Sequence, residues 1–338
     1  METANLDILA IDLGYGDVKV MTKSKRFTFT SGYAPFRPAD MGIGVAYGTS
    51  VQVDGRTMGP HIVGEKAKYY PGYTEPVGDS RLGQEEILPL IAEAMVQAGD
   101  DLNGDIILST GAPLDLYPKE KSSINRWLNK TFVLNTTNGF SRAVTIRKII
   151  TRPQGIAAAI SLAAEKKLPR TPGIGVIVDI GSRTTDIVSI ALEHLEPVRP
   201  LCFSIPIGVG DFFNAAAEGI GKSLQGFRPK KSLVQQLVSH TKYTHAGNTI
   251  LLPPIFTQAR TVTETTIANE IKTRLGEQAS FVTTVIGVGG GAVESILGGV
   301  LHKILPGVTV IALSPEESVY KNAEGYYVIA AESSREAA

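Results

Sequence analysis

Apolar residues along the chain come in two spacings. Short runs of strand length stand at Leu6–Leu13, Val18–Thr22 and Arg26–Thr30, and again at Gly175–Val178, Asp186–Leu192 and Val282–Val288. Between them lie stretches with helical spacing. Gln84–Ala98 places Ile87, Leu90, Ile91, Ala94 and Met95 on one face, and Val262–Leu275 reads as a second helix. Asp105–Thr110 is a strand that stops at Gly111, as Val282–Val288 stops at Gly289-Gly290-Gly291. The order hairpin, helix, strand therefore occurs twice, which predicts a duplicated α/β unit.

The element joining the repeats is Pro153–Lys167. Its Ala157, Ala158, Ala159, Ile160, Leu162, Ala163 and Ala164 are strong helix formers, small enough to let another backbone lie close, and Pro169 and Pro172-Gly173 end it. Two insertions differ in texture. Gly32–Tyr73 is rich in glycine, proline and tyrosine. Leu224–Pro254 is basic and polar around one predicted helix, Lys231–Tyr243. Both read as smaller subdomains set on the two repeats.

Composition changes this picture little. At 338 residues and 43% hydrophobic, the chain has material for two cores. Its 33 basic residues balance 33 acidic ones, so charge demands neither nucleic acid nor an anionic membrane, and little repulsion opposes self-association. The single cysteine, Cys202, excludes an internal disulfide and a cysteine-held metal cluster. With no basic, apolar leader in Met1–Asn5 and no apolar run near ~20 residues, a cytoplasmic protein without membrane attachment is expected.

The chemistry is concentrated in the loops. Asp12-Leu13-Gly14-Tyr15-Gly16-Asp17-Val18-Lys19 lies between two predicted strands. Gly14 and Gly16 permit a tight turn whose N–H groups can face a phosphate, Lys19 adds positive charge, and Asp12 can hold a metal ion through water. Asp179-Ile180-Gly181-Ser182-Arg183-Thr184-Thr185-Asp186 has the same design, with hydroxyl donors and the fork of Arg183 suited to phosphate oxygens. Either loop alone is also what an ordinary hairpin looks like. Two of them at matching positions, with Lys19 and Asp186 each seven residues after the aspartate, favour a phosphate clamp. Gly289, Gly290 and Gly291 form a third loop that lets a base or sugar approach the backbone. Gln154, at the start of the joining helix, can orient a water toward a terminal phosphate. The five histidines are scattered without metal-ligand spacing, and a lysine at Lys230-Lys231 can lie near a ribose.

In this order the motifs resemble the actin, Hsp70 and sugar-kinase superfamily, and within it the actin-like proteins of the ParM type and the single-chain archaeal actin-like proteins. Ala10–Lys19 is similar to the first phosphate loop of that group, and Val178–Asp186 to the second. Val285–Ala292 is similar to its adenosine loop. Arg152-Pro153-Gln154-Gly155-Ile156-Ala157-Ala158 and Lys321-Asn322-Ala323-Glu324-Gly325-Tyr326 resemble its two connecting helices. Ser109–Pro113 and Ile207–Asp211 also look like this group. Where many relatives carry a further glycine, this chain has Ser182-Arg183.

The resemblance implies two RNase H-like, actin-type domains with a nucleotide cleft between them. The first would comprise residues 1–152 and 311–338 with a subdomain at about 32–73, and the second 153–310 with a subdomain at about 224–254. It implies ATP, or GTP, with Mg2+. Asp12 and Asp179 would stand near the metal, Asp179 and Gln154 would serve catalysis with Gln154 placing the attacking water, and Gln235 or Gln236 would reach the base. It further implies head-to-tail filaments driven by hydrolysis, in plasmid segregation, with a DNA-binding adaptor rather than direct nucleic acid binding. The alternative of the same fold is a small-molecule kinase or regulatory ATPase that does not polymerise.

Overall fold

The computed structural model describes residues 6–38, 47–75, 82–293 and 296–335. The chain divides into two compact units, Met1–Lys167 with Val319–Ala338, and Leu168–Ser318. The divisions fall after the joining helix and just inside the last helix, whereas the resemblance implied 152/153 and 310/311.

The first unit is built on β1 (Asp7–Leu13), β2 (Asp17–Met21), β3 (Arg26–Thr30), β4 (Tyr33–Pro35), β5 (Thr49–Val53) and β6 (Arg56–Val63). Helix α1 (Leu88–Ala98), β7 (Asp105–Thr110), the short α2 (Tyr117–Glu120), β8 (Thr131–Thr136), β9 (Ser141–Thr151) and α3 (Ile156–Ala164) follow. The strands form one nine-stranded sheet in the order β3-β2-β1-β7-β9-β8-β5-β6-β4. Strands β1, β7 and β9 run parallel, and the other pairs run antiparallel.

The unbroken apolar run in β1 has a simple cause: both faces of this strand are covered. Leu9, Ile11 and Leu13 pack with Leu90, Ile91 and Met95 of α1. Ile8 and Ala10, on the opposite face, pack with Ile160 and Ala157 of α3 and with Ile329 and Tyr326. Each such buried aliphatic side chain contributes about 1.5–3 kcal/mol of burial.

The strands of the Gly32–Tyr73 insertion join the main sheet, because β5 pairs with β8. The hairpin β8–β9 was not anticipated, although Asn138-Gly139 at its turn is a strong hairpin signal.

The second unit contains β10 (Ile174–Ile180), β11 (Thr185–Ala191), β12 (Glu196–Pro197), β13 (Phe203–Ile205), α4 (Val209–Ser223), α5 (Lys231–Leu237), β14 (Lys242–His245) and β15 (Asn248–Leu251). It continues through α6 (Leu252–Leu275), β16 (Val282–Val288), α7 (Val300–Ile304) and β17 (Thr309–Ile311), and α8 (Pro315–Arg335) leads back into the first unit. Its six-stranded sheet has the order β12-β11-β10-β16-β17, with β13 beside β11.

The duplication is visible in the pairings. β1 is antiparallel to β2 and parallel to β7, and β10 is likewise antiparallel to β11 and parallel to β16. The predicted helix 231–243 is shorter than expected: α5 stops at Leu237, and Lys242–His245 pairs with Asn248–Leu251. The aromatic Tyr243 and β-branched Thr244 favour that strand. Conversely, α6 starts ten residues before the predicted Val262, because Pro253 and Pro254 occupy its first turn, where missing N–H groups cost nothing. Among the described residues no helix is long and apolar enough to cross a membrane.

Candidate nucleotide site

The first loop closes the hairpin β1–β2. Strand register sets Asp12 opposite Lys19, so the spacing of seven seen in the sequence is a cross-strand pair. Asp12 is 4% exposed, and Lys19 Nζ stands 3.7 Å from its Oδ2. The other carboxylate oxygen, Oδ1, accepts a 2.7 Å hydrogen bond from Gln154 Nε2. Gly14 is required by close approach: a Cβ there would lie 2.5 Å from the Asp17 carbonyl oxygen and 3.0 Å from Lys19 Nζ. Tyr15 and Gly16 complete the turn, and the Gly16 carbonyl accepts from the Ser31 N–H at 2.9 Å. In this unit Asp12, Gly14, Lys19 and Gln154 come together.

Gln154 precedes α3 rather than beginning it, since the helix starts at Ile156. Its backbone N–H donates to the Ala112 carbonyl at 2.8 Å. Gly155, at φ +72°, turns the chain into the helix, and its N–H donates to Oδ1 of Asn322 at 2.9 Å. The first turn of α3 is thus held from both sides, by Ala112 just past β7 and by α8.

The second loop closes β10–β11 in the same way, with Asp179 opposite Asp186. Asp179 is 6% exposed. The Gly181 N–H donates to the Thr184 carbonyl at 2.9 Å, which makes a compact turn with Ser182 and Thr184 half-buried and Arg183 exposed. The start of α4 braces this turn: the Val209 and Gly210 N–H groups donate to the Gly181 and Ser182 carbonyls at 3.0 and 2.8 Å. Asp186 accepts from the Ser204 hydroxyl in the core beneath.

The third loop packs on the second. A Cβ on Gly289, which sits at φ +82°, would lie 2.5 Å from Oδ1 of Asp179, and one on Gly291 would lie 2.4 Å from Ile180 Cγ2. A Cβ on Gly290 would meet nothing within 4 Å, so the backbone there is open to a flat group. Gly289 is tied to Ser318 by two hydrogen bonds: its N–H donates to the Ser318 carbonyl at 2.9 Å and its carbonyl accepts from the Ser318 hydroxyl at 2.8 Å. The second unit therefore gathers Asp179, Gly181–Thr184 and Gly289–Gly291.

Sequence reasoning missed the roles of Asn322 and Ser318, because both act through partners far along the chain. Lys231 Nζ lies 3.3 Å from where a Cβ on Gly210 would be, which brings it beside the second loop. Gln235 and Gln236 are exposed on α5.

Among the described residues no group of three His, Cys, Asp or Glu side chains is arranged to hold a metal ion. Asp12 and Asp179 are single buried carboxylates, each at the end of a strand beside a glycine turn. Such oxygen donors fit Mg2+, which takes one or two carboxylates and fills its remaining positions with water and phosphate.

Comparison with known proteins places the chain beside actin homologues. Residues 10–156 match the family described as actin like proteins N terminal domain, and residues 177–298 match archaeal actin homologue MreB-like, C-terminal. An archaeal actin homolog of Thermoplasma acidophilum is 34% identical over 94% of this chain and 97% of its own length. The crystal structure of Ta0583, an archaeal actin homolog, in complex with ADP is 32% identical, with a TM-score of 0.80 over 97% of this chain and all of that one. The 15-stranded ParM filament from Clostridium botulinum, at 23% identity, shares the fold with a TM-score of 0.82 over 97% of this chain and 99% of that one.

Proposed function

This chain belongs to the family of archaeal actin homologues, and we propose that it is an Mg2+-dependent ATPase whose nucleotide state controls its assembly into filaments. The observation that carries this reading is the equivalence of the two hairpins: each presents one buried aspartate at a strand end, with a glycine turn beside it, in the same pairing register. One such hairpin is a common turn. Two at corresponding points of a duplicated fold are a pair of phosphate loops.

In this reading, the Gly14–Gly16 turn and Lys19 take one part of the phosphate chain, and Gly181, Ser182, Arg183 and Thr184 take another. Asp12 in the first unit and Asp179 in the second are the carboxylates that would hold Mg2+. When bound, the ion neutralises charge on the phosphates. Gly289, Gly290 and Gly291 receive the base and ribose. Gln154 orients the attacking water: an amide has no basic strength at neutral pH, so it acts by placement. Its Nε2 is engaged by Asp12, which leaves the carbonyl oxygen of the same amide to accept a hydrogen bond from that water.

The ADP of the Ta0583 crystal structure supports nucleotide binding by this relative at 32% identity. Assembly with further copies would be head-to-tail, a heterologous contact that propagates unless it closes. A plasmid-partition role would add a DNA-binding adaptor as partner. Light scattering with electron microscopy, after addition of Mg–ATP, Mg–GTP or neither, tests the assembly. Nucleotide-dependent filaments are expected. Persistent monomers over a broad concentration range, with phosphate passed to a small acceptor, would assign the chain to the small-molecule kinases instead.

A further inference from the structure

We propose that Asn322 is a positioning residue for the hydrolysis step, through the turn that carries Gln154; the inference rests on the ATPase reading above. A side chain that orients a water must have its Cα–Cβ direction fixed. That direction is set by the two peptide planes flanking the residue.

Both planes around Gln154 are held. The plane before it is fixed by its own N–H, which donates to the carbonyl of Ala112, two residues past β7, at 2.8 Å. The plane after it contains the Gly155 N–H, which donates to Asn322 Oδ1 at 2.9 Å. Rotation of that second plane is rotation about ψ of Gln154 and φ of Gly155. Gly155 sits at φ +72° and, lacking a Cβ, offers little resistance of its own. Within that plane the Gln154 carbonyl accepts from the Ile156 N–H at 2.8 Å, a local bond that turns with the chain; Asn322 supplies the resistance from outside the turn.

Asn322 is in turn held firmly. Its side chain is 7% exposed. The preceding residue, Lys321, is 2% exposed and reaches Glu165 at the far end of α3 at 2.5 Å. The Ser109 hydroxyl of β7 donates to the Tyr326 carbonyl at 2.8 Å. Helix α8 therefore cannot slide relative to β7 and α3, and Asn322 meets the Gly155 N–H at a fixed point.

Steady-state phosphate release from Mg–ATP, with nucleotide affinity measured separately, tests this on the full chain. Asn322→Ala is expected to lower kcat about tenfold, in line with the cost of misplacing a reacting group, with nucleotide Kd unchanged. Asn322→Asp keeps the acceptor oxygen and should retain most of the rate. In the Gln154→Ala background, Asn322→Ala should cause no further loss, because the group it positions is gone. If the alanine variant does not fold, Asn322→Ser, which is too short to reach Gly155, takes its place.

Wild-type kcat in Asn322→Ala, or the same fold-loss with and without Gln154, overturns the proposal. So does weakened binding with unchanged kcat. Wild-type turnover that depends on Gln154 but not on Asn322 removes this inference alone, whereas a wild-type chain without turnover removes the ATPase reading beneath it.

Discussion

Gln154 Nε2 donates a 2.7 Å hydrogen bond to Oδ1 of Asp12, joining the turn before α3 to the end of β1. The bond aims the amide and uses one acceptor of a buried carboxylate. Gln154→Ala removes the amide proposed to place the water but leaves Asp12 its contact with Lys19. Phosphate release should slow by roughly 10- to 100-fold, while nucleotide affinity, followed by titration of a fluorescent analogue, stays within about threefold of wild type. Weak binding with normal turnover would move Gln154 from catalysis to affinity.

The two hairpins and their matched spacing are legible in the sequence because they are local. Seven residues from Asp12 to Lys19, or from Asp179 to Asp186, span one tight hairpin, and the turn glycines announce it. The apolar runs of β1 and β10 were legible for the same kind of reason, since strands covered on both faces lose their polar alternation. Asn322 and Ser318 were not, because nothing near them signals that their partners are Gly155 and Gly289. The end of the 231–243 segment is not legible locally: Ala246-Gly247 marks a turn, and pairing with β15 makes Lys242–His245 a strand.

Gly289 offers a steric test of the second and third loops. A Cβ there would stand 2.5 Å from Asp179 Oδ1, at a φ of +82° that disfavours any side chain. Gly289→Ala should therefore displace the Asp179 carboxylate and cost about 1–3 kcal/mol of stability. Mg2+-dependent nucleotide binding should fall with it. Gly290→Ala, with nothing within 4 Å of the new methyl group, should leave stability near wild type. Urea unfolding of the two variants, with calorimetric titration of Mg–ADP, checks both; equal stability losses would contradict the packing described here.

Lys321 is buried and lies 2.5 Å from both Glu165 and Glu324. Replacing it with alanine empties the site between the two carboxylates but leaves Arg26 3.5 Å from Glu324 and Lys167 2.9 Å from Glu165, and should destabilise the first unit by about 1–3 kcal/mol. Lys321→Met fills the same volume and should cost less. Chemical denaturation of both variants at neutral pH ranks them, and an alanine variant as stable as wild type would show that the buried pair contributes nothing.

Acid stability carries the same signature. Burial alone would raise the Glu165 carboxyl, but hydrogen bonds from Lys321 and then Lys167 outweigh it, and the group titrates below the ordinary carboxylate range. Its contribution is thus complete above the unfolded value near 4.5 and is lost as pH falls through the depressed folded value. Lys321→Met should flatten the acid limb of the stability profile below about pH 4.5. Thermal unfolding between neutral and acid pH measures this, and parallel profiles for wild type and variant would contradict it.

The twin aspartates are tested most directly by one comparison: phosphate release from Mg–ATP by the wild-type chain and by Asp179→Ala, with circular dichroism confirming that both are folded. The wild type should turn over only with Mg2+ present, and Asp179→Ala should fall by at least about 100-fold. Phosphate release by a folded Asp179→Ala chain at the wild-type rate would contradict the assignment of these hairpins as the nucleotide site.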